Sequence, residues 1–299
     1  MNARGQPHRA GMAAAAAAFI LWGFLPLYFH AIGPRVSVWE ILMHRVLWAA
    51  VLLAAFTLAA GRTARVRALL ARPRTLLALC ASAGFIAVNW GVFIWAVTHN
   101  HVLESSLGYY INPLLNVFLG FAFLGERLRP PQIVAVALAT GGVLVMIVAF
   151  GQVPWISLIL AGCFGSYGLI RKQAEVDSAT GLLAETVLLS PLALAGLVWL
   201  YSDGSAMFLR SDLRIDLLLA GAGAVTVGPL VLFAAGARRL RLGTLGLFQY
   251  ITPTLHFLTG VFLFDEAFTR ADAITFACIW CGLVLFTADN WRVQRRGSA

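Results

Sequence analysis

Long apolar stretches separated by short polar segments run through the whole chain. A membrane-spanning helix needs about 20 mainly apolar residues in succession. Breaks at charged residues, glycine and proline divide the sequence into ten candidate spans by this criterion. Their predicted bounds are 11–32, 38–60, 75–98, 104–124, 131–149, 154–170, 180–201, 215–236, 243–264 and 271–288. The pattern therefore predicts an all-α integral membrane protein with ten transmembrane helices.

One stretch of the sequence occurs twice, with matched positions 140 residues apart. Residues 107–128 read LGYYINPLLNVFLGFAFLGERL and residues 247–268 read LFQYITPTLHFLTGVFLFDEAF. The matched pairs are Tyr110 and Tyr250, Ile111 and Ile251, Pro113 and Pro253, Gly120 and Gly260, and Glu126 and Glu266. An offset of five predicted spans is odd, so the second copy crosses the membrane in the opposite direction. We therefore predict two inverted five-helix repeats, residues 1–150 and 151–299.

The composition and the charge distribution support a membrane protein. The chain is 60% hydrophobic and 12% charged, whereas soluble domains carry about 25% charged residues. With the N-terminus placed in the cytoplasm, 17 of the 22 lysine and arginine residues fall in cytoplasmic segments and 4 in outside segments, and Arg45 lies within a span. This bias predicts that both termini are cytoplasmic. It also accounts for the net charge of +9 without a nucleic-acid partner.

No catalytic or nucleotide-binding motif is visible in the sequence. The C-x-x-C pair Cys278 and Cys281 lies in an apolar span, and we interpret it as packing. We predict no catalytic residue, metal site or cofactor. The predicted partners are the lipid bilayer and a small-molecule substrate. Gly141, Gly142 and Gly282 indicate close helix packing, which would suit a monomer or a weak homodimer.

Arg45 is the clearest charge inside a predicted span. It lies about seven residues from the outer end of span two, roughly 10 Å deep at a rise of about 1.5 Å per residue. It could extend its guanidinium outward to the interface, or it could face the bundle and bind an anionic group of the substrate. His44 precedes it and Glu40 lies one turn from His44, so these side chains could share a face.

The repeat matches Arg45 with Glu185. The inversion places the two residues on opposite sides of the membrane midplane, about 10 Å apart along its normal. Separate roles are therefore favoured over a direct ion pair, and Glu185 is the best buried acid for proton coupling.

Further polar side chains lie in the middle of predicted spans or beside their prolines. Those assigned to a substrate pathway are Asn89, Trp90, Tyr110, Asn112, Gln249 and Tyr250, together with Arg45 and His44. Pro113 and Pro253 are predicted to kink their helices and free a carbonyl four residues earlier. The alternative is that these groups form interhelical hydrogen bonds that only hold the bundle together.

Five sequence segments resemble the EamA family of the drug/metabolite transporter superfamily. They read EILMHR at 40–45, NWGVFIWAV at 89–97, LESSLGYYINPL at 103–114 and LGER at 124–127, and a fifth runs through 239–255. The resemblance covers about residues 11–290. It implies a permease of the bacterial inner membrane that exports small metabolites or drugs, with substrate held in a central cavity between the two repeats.

Two functions compete at this point. The inverted repeats and the polar groups in both favour a secondary transporter that works by alternating access. The alternative is a membrane-embedded enzyme acting on a lipid-linked or small polar substrate. Its candidate residues near the outer surface are Glu40, His44, His99, His101 and Glu104.

Overall fold

The fold is helical throughout the part of the chain that the structure describes. The computed structural model describes residues 6–125, 127–174, 176–237, 239–240 and 248–296. Glu126 and residues 243–247 of the predicted ninth span lie outside these ranges. The helices are α1 (Gln6–Gly23), α2 (Leu25–Ile32), α3 (Val38–Ala59), α4 (Thr63–Leu70), α5 (Pro73–Thr98), α6 (Val102–Leu124), α7 (Pro130–Phe150), α8 (Trp155–Ala174), α9 (Ser178–Asp203), α10 (Leu213–Ala237), α11 (Ile251–Phe262) and α12 (Arg270–Arg296).

The all-α integral membrane fold predicted from the sequence is confirmed. Eight spans within the described residues are long and apolar enough to cross a membrane, and the first of them combines α1 and α2. Two of the ten predicted spans fall outside this set. One is α8, which carries Arg171 and Lys172 in its last turn. The other is α11, whose described part has 12 residues.

Local sequence sets several of the helix boundaries. The first span breaks at Phe24 because Pro26 has no N–H to donate to the carbonyl of Trp22. The ring of His256 forms a 3.1 Å hydrogen bond with that carbonyl. Ser37 begins α3 by accepting a hydrogen bond from the backbone N–H of Glu40. Gly204 ends α9 with a φ of 80°, which favours glycine.

One detail of the sequence prediction was wrong. The polar segment 61–74, expected to be a loop, contains the short helix α4. The chain turns at Gln249 and Tyr250, next to the predicted kink, and Pro253 is the third residue of α11, where proline removes no intrahelical hydrogen bond. Pro113, in contrast, lies inside α6.

The long helices pack in a regular set of pairs. α7 lies along α12, α3 along α9, and α6 along α11. In addition α8 packs against α5 and α6, while α1 packs against α10 and α11. The closest approach of α7 and α12 occurs at glycines, where a Cβ added to Gly142 would lie 3.2 Å from the carbonyl oxygen of Thr275 and one added to Gly282 would lie 2.8 Å from that of Ala135.

The two ends of the bundle differ in their packing. We call the end that holds α2 the α2 end, and the end that holds α4 the α4 end. An apolar cluster fills the α2 end, and we call it the α2-end cluster. Its buried members are Leu25, Phe29, Ile32, Val36, Ile41, Phe93, Ile94, Ala96, Val97, Val102, Ile156, Leu160 and Leu219.

Hydrogen bonds at the α2 end connect distant parts of the chain. The Glu40 carboxylate accepts hydrogen bonds from the backbone N–H groups of Met207 and Phe208, with the shortest distances at 2.9 Å. The Glu266 carboxylate accepts from the N–H groups of Val102 and Leu103, both at 2.6 Å, and so caps the N-terminus of α6. These contacts join residues before position 150 to residues after it.

Candidate functional site

A cavity of about 420 Å³ lies in the centre of the bundle. Side chains of α1, α2, α3, α5, α6, α8, α9, α10 and α11 form its walls, whereas α7 and α12 contribute no lining residue among the described ones. The volume is within the range of about 300–1,000 Å³ that is typical of small-molecule sites.

Aromatic rings and polar groups together form most of the cavity wall. The aromatic lining residues are Phe19, Trp22, Trp90, Phe93, Tyr109, Phe164, Tyr167 and Phe233. The other polar or charged ones are Arg45, Asn89, Asn112, Asn116, Arg171, Ser178, Thr226, Gln249, Thr252 and His256. No aspartate or glutamate is found among the described lining residues.

The cavity is displaced toward the α4 end. Ser178, the first residue of α9, and Arg171, in the last turn of α8, are both at its wall. At the other side the cavity stops at Phe93, which is 2% exposed and belongs to the α2-end cluster. The cluster therefore separates the cavity from the α2 end.

Arg45 faces the cavity from α3 and is 4% exposed. Its Nε donates a 2.9 Å hydrogen bond to the hydroxyl of Thr226 on α10. Its guanidinium carbon lies 4.2 Å from the ring centre of Trp90 and 5.5 Å from that of Phe29. The Nη1 atom is buried without a hydrogen-bond partner. Within the described residues no carboxylate lies within ion-pair distance of Arg45.

Glu185 lies behind the opposite part of the wall and is completely buried. Ser82 donates a 2.6 Å hydrogen bond to its Oε1 and Tyr167 a 3.4 Å hydrogen bond to its Oε2. Its ion-pair partner is Arg171, with Nε 3.7 Å from Oε1. The residue matched to Arg45 by the repeat therefore pairs with a different arginine.

The structure brings five of the eight predicted pathway residues to the cavity wall: Arg45, Asn89, Trp90, Asn112 and Gln249. The Nδ2 group of Asn89 donates a 3.0 Å hydrogen bond to the carbonyl of Leu160. Asn112 Oδ1 is buried without a hydrogen-bond partner. Asn89 therefore holds two helices together, whereas the side-chain oxygen of Asn112 is left without a hydrogen bond inside the protein.

His44, Tyr110 and Tyr250 are not among the lining residues. His44 packs against Phe208, and its Nδ1 accepts a 3.2 Å hydrogen bond from the indole N–H of Trp48. The hydroxyl of Tyr110 is 2.7 Å from that of Thr254, and its ring packs against Phe276. Tyr250 packs against the same apolar cluster of α6, α7 and α12 as Tyr110 does.

Several lining residues had no role in the sequence prediction. Arg171 was counted only as a loop charge, because it lies at the end of its span. Tyr109, Tyr167 and Thr226 gave no signal, since single hydroxyls are common in membrane helices. His256 also lines the cavity, and it forms a hydrogen bond with the carbonyl of Trp22 and stacks on Phe93 at 5.3 Å.

A second depression of about 640 Å³ lies at the α2 end. Glu104, Asp265, Glu266 and Asp272 line it, and three of these carboxylates already have partners. Glu104 binds His101, Glu266 the N-terminus of α6, and Asp272 the side chain of Thr269. Among the described residues no group of three His, Cys, Asp or Glu side chains is arranged to hold a metal ion. The central cavity is thus the better candidate site.

The residues considered for an enzyme do not converge on one point. Glu40 binds backbone N–H groups after α9, while His44 is hydrogen-bonded to Trp48. His101 pairs with Glu104 at 3.0 Å, and His99 stacks on Trp95. Their contacts are those of helix ends and of packing between side chains, with Glu40 and His44 buried.

Comparison with known proteins gives a consistent set of relatives. The sequence profile of the EamA-like transporter family matches residues 9–148. An uncharacterized transporter of Vibrio cholerae is 47% identical over 285 residues, which cover 95% of this chain and 94% of the relative. Protein RarD of Escherichia coli is 43% identical over 290 residues, covering 97% and 98%. A chloramphenicol-sensitive protein RarD of Pseudomonas aeruginosa is 34% identical, covering 96% of both chains.

One solved crystal structure shares the fold. It has a TM-score of 0.59 to this chain at 19% sequence identity, and the match covers 93% of this chain and 97% of the other. At this level of identity the likeness concerns the fold alone.

Proposed function

The chain belongs to the EamA-like transporter family, and we propose that it is a secondary transporter that exports small metabolites or drugs across a bacterial inner membrane by alternating access. The family is one of transporters rather than enzymes, which argues against the membrane-embedded enzyme. The observation that carries the proposal is the central cavity. Its walls are formed both by helices that precede residue 150 and by helices that follow it.

We propose ten spans arranged as two inverted repeats, residues 1–150 and 151–299. The contacts between α7 and α12 support this arrangement. Gly142 approaches the carbonyl of Thr275, and Gly282 approaches that of Ala135. Each residue of one contact is 140 positions from its counterpart in the other, as a two-fold axis between the repeats requires. Both contacts lie within one chain, which suits a monomer or a weak homodimer.

The helix pairs support the same symmetry. The offset of five spans matches α1 with α8, α5 with α10, and α6 with α11. The contact of α8 with α5 then corresponds to that of α1 with α10, and the contact of α8 with α6 to that of α1 with α11. In three further contacts, α7 with α12, α3 with α9, and α6 with α11, the two helices that touch are matched with each other by the offset. A cavity between two such repeats is where transporters hold their substrates.

We propose that the α4 end faces the cytoplasm, because the excess of basic residues in loops lies at that end. Both termini are then cytoplasmic, and the cavity is displaced toward the cytoplasm. An exporter in this state would load substrate from inside, while the α2-end cluster keeps the outer side closed.

The proposed pathway keeps the eight residues predicted from the sequence. Five of them would contact the substrate, and three would lie behind the cavity wall. Arg45, Asn89, Trp90, Asn112 and Gln249 would contact the substrate directly, since they line the cavity. His44, Tyr110 and Tyr250 would support the neighbouring helices. Glu185 remains the proposed proton-coupling residue, because it is buried and pairs with Arg171 of the cavity wall.

Reconstitution into proteoliposomes tests the proposed function. A panel of radiolabelled small metabolites and antibiotics would be loaded, and efflux measured with and without a pH gradient. We expect at least one solute to move faster than in protein-free vesicles, and Glu185→Gln to lose the acceleration by the gradient. Glu104→Gln, at the α2-end surface, is the control and should retain it. Transport of no solute under either condition would contradict the proposal.

A further inference from the structure

We propose that the central cavity binds an organic carboxylate with an aromatic or other apolar body, and that Arg45 binds the carboxylate. The inference names the substrate class of the proposed transporter and therefore rests on the proposed function. It starts from a charged side chain in the cavity that lacks a counter-ion.

Arg45 is positioned as a binding group whose partner is missing from the protein. The hydrogen bond to Thr226 and the rings of Trp90 and Phe29 fix the guanidinium in place. Buried charges are normally paired, because an unpaired charge in a low-dielectric interior is costly. Arg45 has no carboxylate within ion-pair distance among the described residues, and its Nη1 has no partner at all. An incoming anion would supply the missing interaction.

The charge around the cavity favours an anion over a cation. Its described lining includes Arg45 and Arg171 but neither aspartate nor glutamate. Among the described residues, Glu185 is an acid that contacts the cavity wall through Arg171. Its carboxylate is already bound by Arg171 and Ser82. A cationic ligand would therefore meet a guanidinium with no carboxylate to offset it. A carboxylate would gain charge-assisted hydrogen bonds, for which the planar guanidinium is well suited.

The rest of the wall describes the other part of the ligand. Trp90 lies directly against the guanidinium, and Phe93, Tyr109 and Phe164 continue the aromatic surface. An aromatic or aliphatic body beside the carboxylate would bury against these rings. The apolar surface beside the guanidinium favours a carboxylate with an organic body over inorganic phosphate, which has no apolar part to bury.

Three probes of the same shape test this inference on the purified full-length protein. They are 3-phenylpropionate, its amide 3-phenylpropionamide and the amine 3-phenylpropylamine, with inorganic phosphate as a fourth ligand. Binding can be followed through quenching of tryptophan fluorescence, because Trp22 and Trp90 line the cavity. We expect the carboxylate to bind about tenfold or more tightly than the amide, the amine or phosphate.

Arg45→Gln separates binding from structure. The glutamine side chain can still donate to Thr226 but carries no charge, so affinity for 3-phenylpropionate should fall about tenfold or more while affinity for the amide stays the same. The melting temperature should not fall, because the variant removes an unpaired buried charge. Arg65→Gln is the matched control, since Arg65 is exposed at the α4 end and pairs with Asp177 at 3.7 Å.

Each other outcome overturns the inference. These are equal affinity for the three probes, tighter binding of phosphate, no binding of 3-phenylpropionate at millimolar concentration, and an unchanged preference in Arg45→Gln. Failure of the proposed function is distinct. Carboxylate binding that depends on Arg45, without flux of any solute, would contradict transport and leave the anion site intact. Flux of other solutes without carboxylate binding would contradict the anion site and leave the proposed transport intact.

Discussion

At the scale of single residues, the two arginines of the cavity wall differ in their partners. Arg171 pairs with Glu185, whereas Arg45 has Thr226 and two aromatic rings. The depth of Arg45 could be predicted from its position in an apolar run. The pairing of Arg171 could not, because the sequence does not reveal which helices are neighbours. Residues 171 and 185 belong to consecutive helices whose side chains meet only after α8 and α9 have both packed against α5.

Replacement of Glu185 with methionine should destabilise the protein by about 2 kcal/mol. The change leaves Arg171 without its carboxylate, and breaking a buried pair costs about 3–5 kcal/mol. We expect less here because Arg171 lies near a helix end and can turn outward. The double variant Glu185→Met with Arg171→Met should recover part of the loss, because no unpaired charge remains. Reversible unfolding in mixed micelles measures all three free energies. Additive single effects would argue against an energetic coupling.

Asp177 lies outside the spans and caps α9. Its Oδ1 accepts a 3.1 Å hydrogen bond from the N–H of Thr180, and Arg65 lies 3.7 Å from Oδ2. Asp177→Ala should therefore cost about 1 kcal/mol. Asp177→Asn keeps a capping oxygen and should cost only a few tenths of a kcal/mol. Thermal unfolding of the purified variants at neutral pH provides the comparison.

The same carboxylate gives a pH dependence with a definite sign. Burial raises the pKa of Asp177, but the hydrogen bonds from Thr180 and the charges of Arg65 and Arg62 outweigh it, so the pKa lies below its usual value. Its stabilisation is complete above the pKa of the unfolded chain, about 3.9, and is lost as the pH falls through the folded pKa. The difference in unfolding temperature between wild type and Asp177→Asn should thus shrink in acid. A difference that grows below about pH 4 would contradict this sign.

At the scale of helices, the length of the apolar runs predicted where the helices lie. It did not predict where a helix is interrupted. The predicted second span, 38–60, and α3, Val38–Ala59, nearly coincide because charged and polar residues flank an unbroken apolar run. The break between α1 and α2 was missed, since Pro26 lies within an apolar stretch. α4 was missed because its arginines read as a loop, although Thr63–Leu70 contains good helix formers.

The contact between α7 and α12 offers a matched set of glycine variants. A Cβ at Gly142 would lie 2.8 Å from the Cβ of Cys278, and one at Gly282 would lie 2.8 Å from the carbonyl oxygen of Ala135. Gly142→Ala and Gly282→Ala should each destabilise the protein by about 1–3 kcal/mol. Gly141→Ala is the control, because a Cβ there meets nothing within 4 Å. Aggregation temperatures in detergent compare the three, and an equal loss for Gly141→Ala would contradict the close approach.

At the scale of the whole molecule, the repeat in the sequence predicts an arrangement of two inverted halves that no single residue indicates. The family resemblance adds the expectation of a central cavity between them. The repeat could not indicate which end is closed, because matched positions predict equivalent packing at both ends, whereas the apolar cluster lies at the α2 end. The α2 end holds the apolar cluster together with carboxylates that bind backbone N–H groups across the boundary at residue 150. Glu40 and Glu266 are not equivalent positions in the repeat, so their contribution could not be predicted from it.

We expect Glu40 and Glu266 to hold the α2 end closed. Each carboxylate accepts hydrogen bonds from N–H groups of the other proposed repeat. Glutamine keeps the shape but replaces one oxygen with a donor, which loses a charge-assisted bond worth about 1.5–3 kcal/mol. Glu40→Gln and Glu266→Gln should therefore each raise the population that is open at the α2 end by about tenfold.

Thiol labelling can measure this opening. Phe93→Cys would be made in a protein whose native cysteines are replaced, and an impermeant maleimide would be applied from the α2 side. Phe93 is a buried member of the α2-end cluster and also lines the cavity, so its labelling rate reports how often the end opens. Asp216→Asn is the control, because Asp216 accepts its 2.7 Å hydrogen bond from Leu209 at the same end but within residues 151–299. Faster labelling in the Glu40 and Glu266 variants alone would mean that bonds between the repeats control the opening. Equal rates in all variants would mean that the apolar cluster closes this end without them.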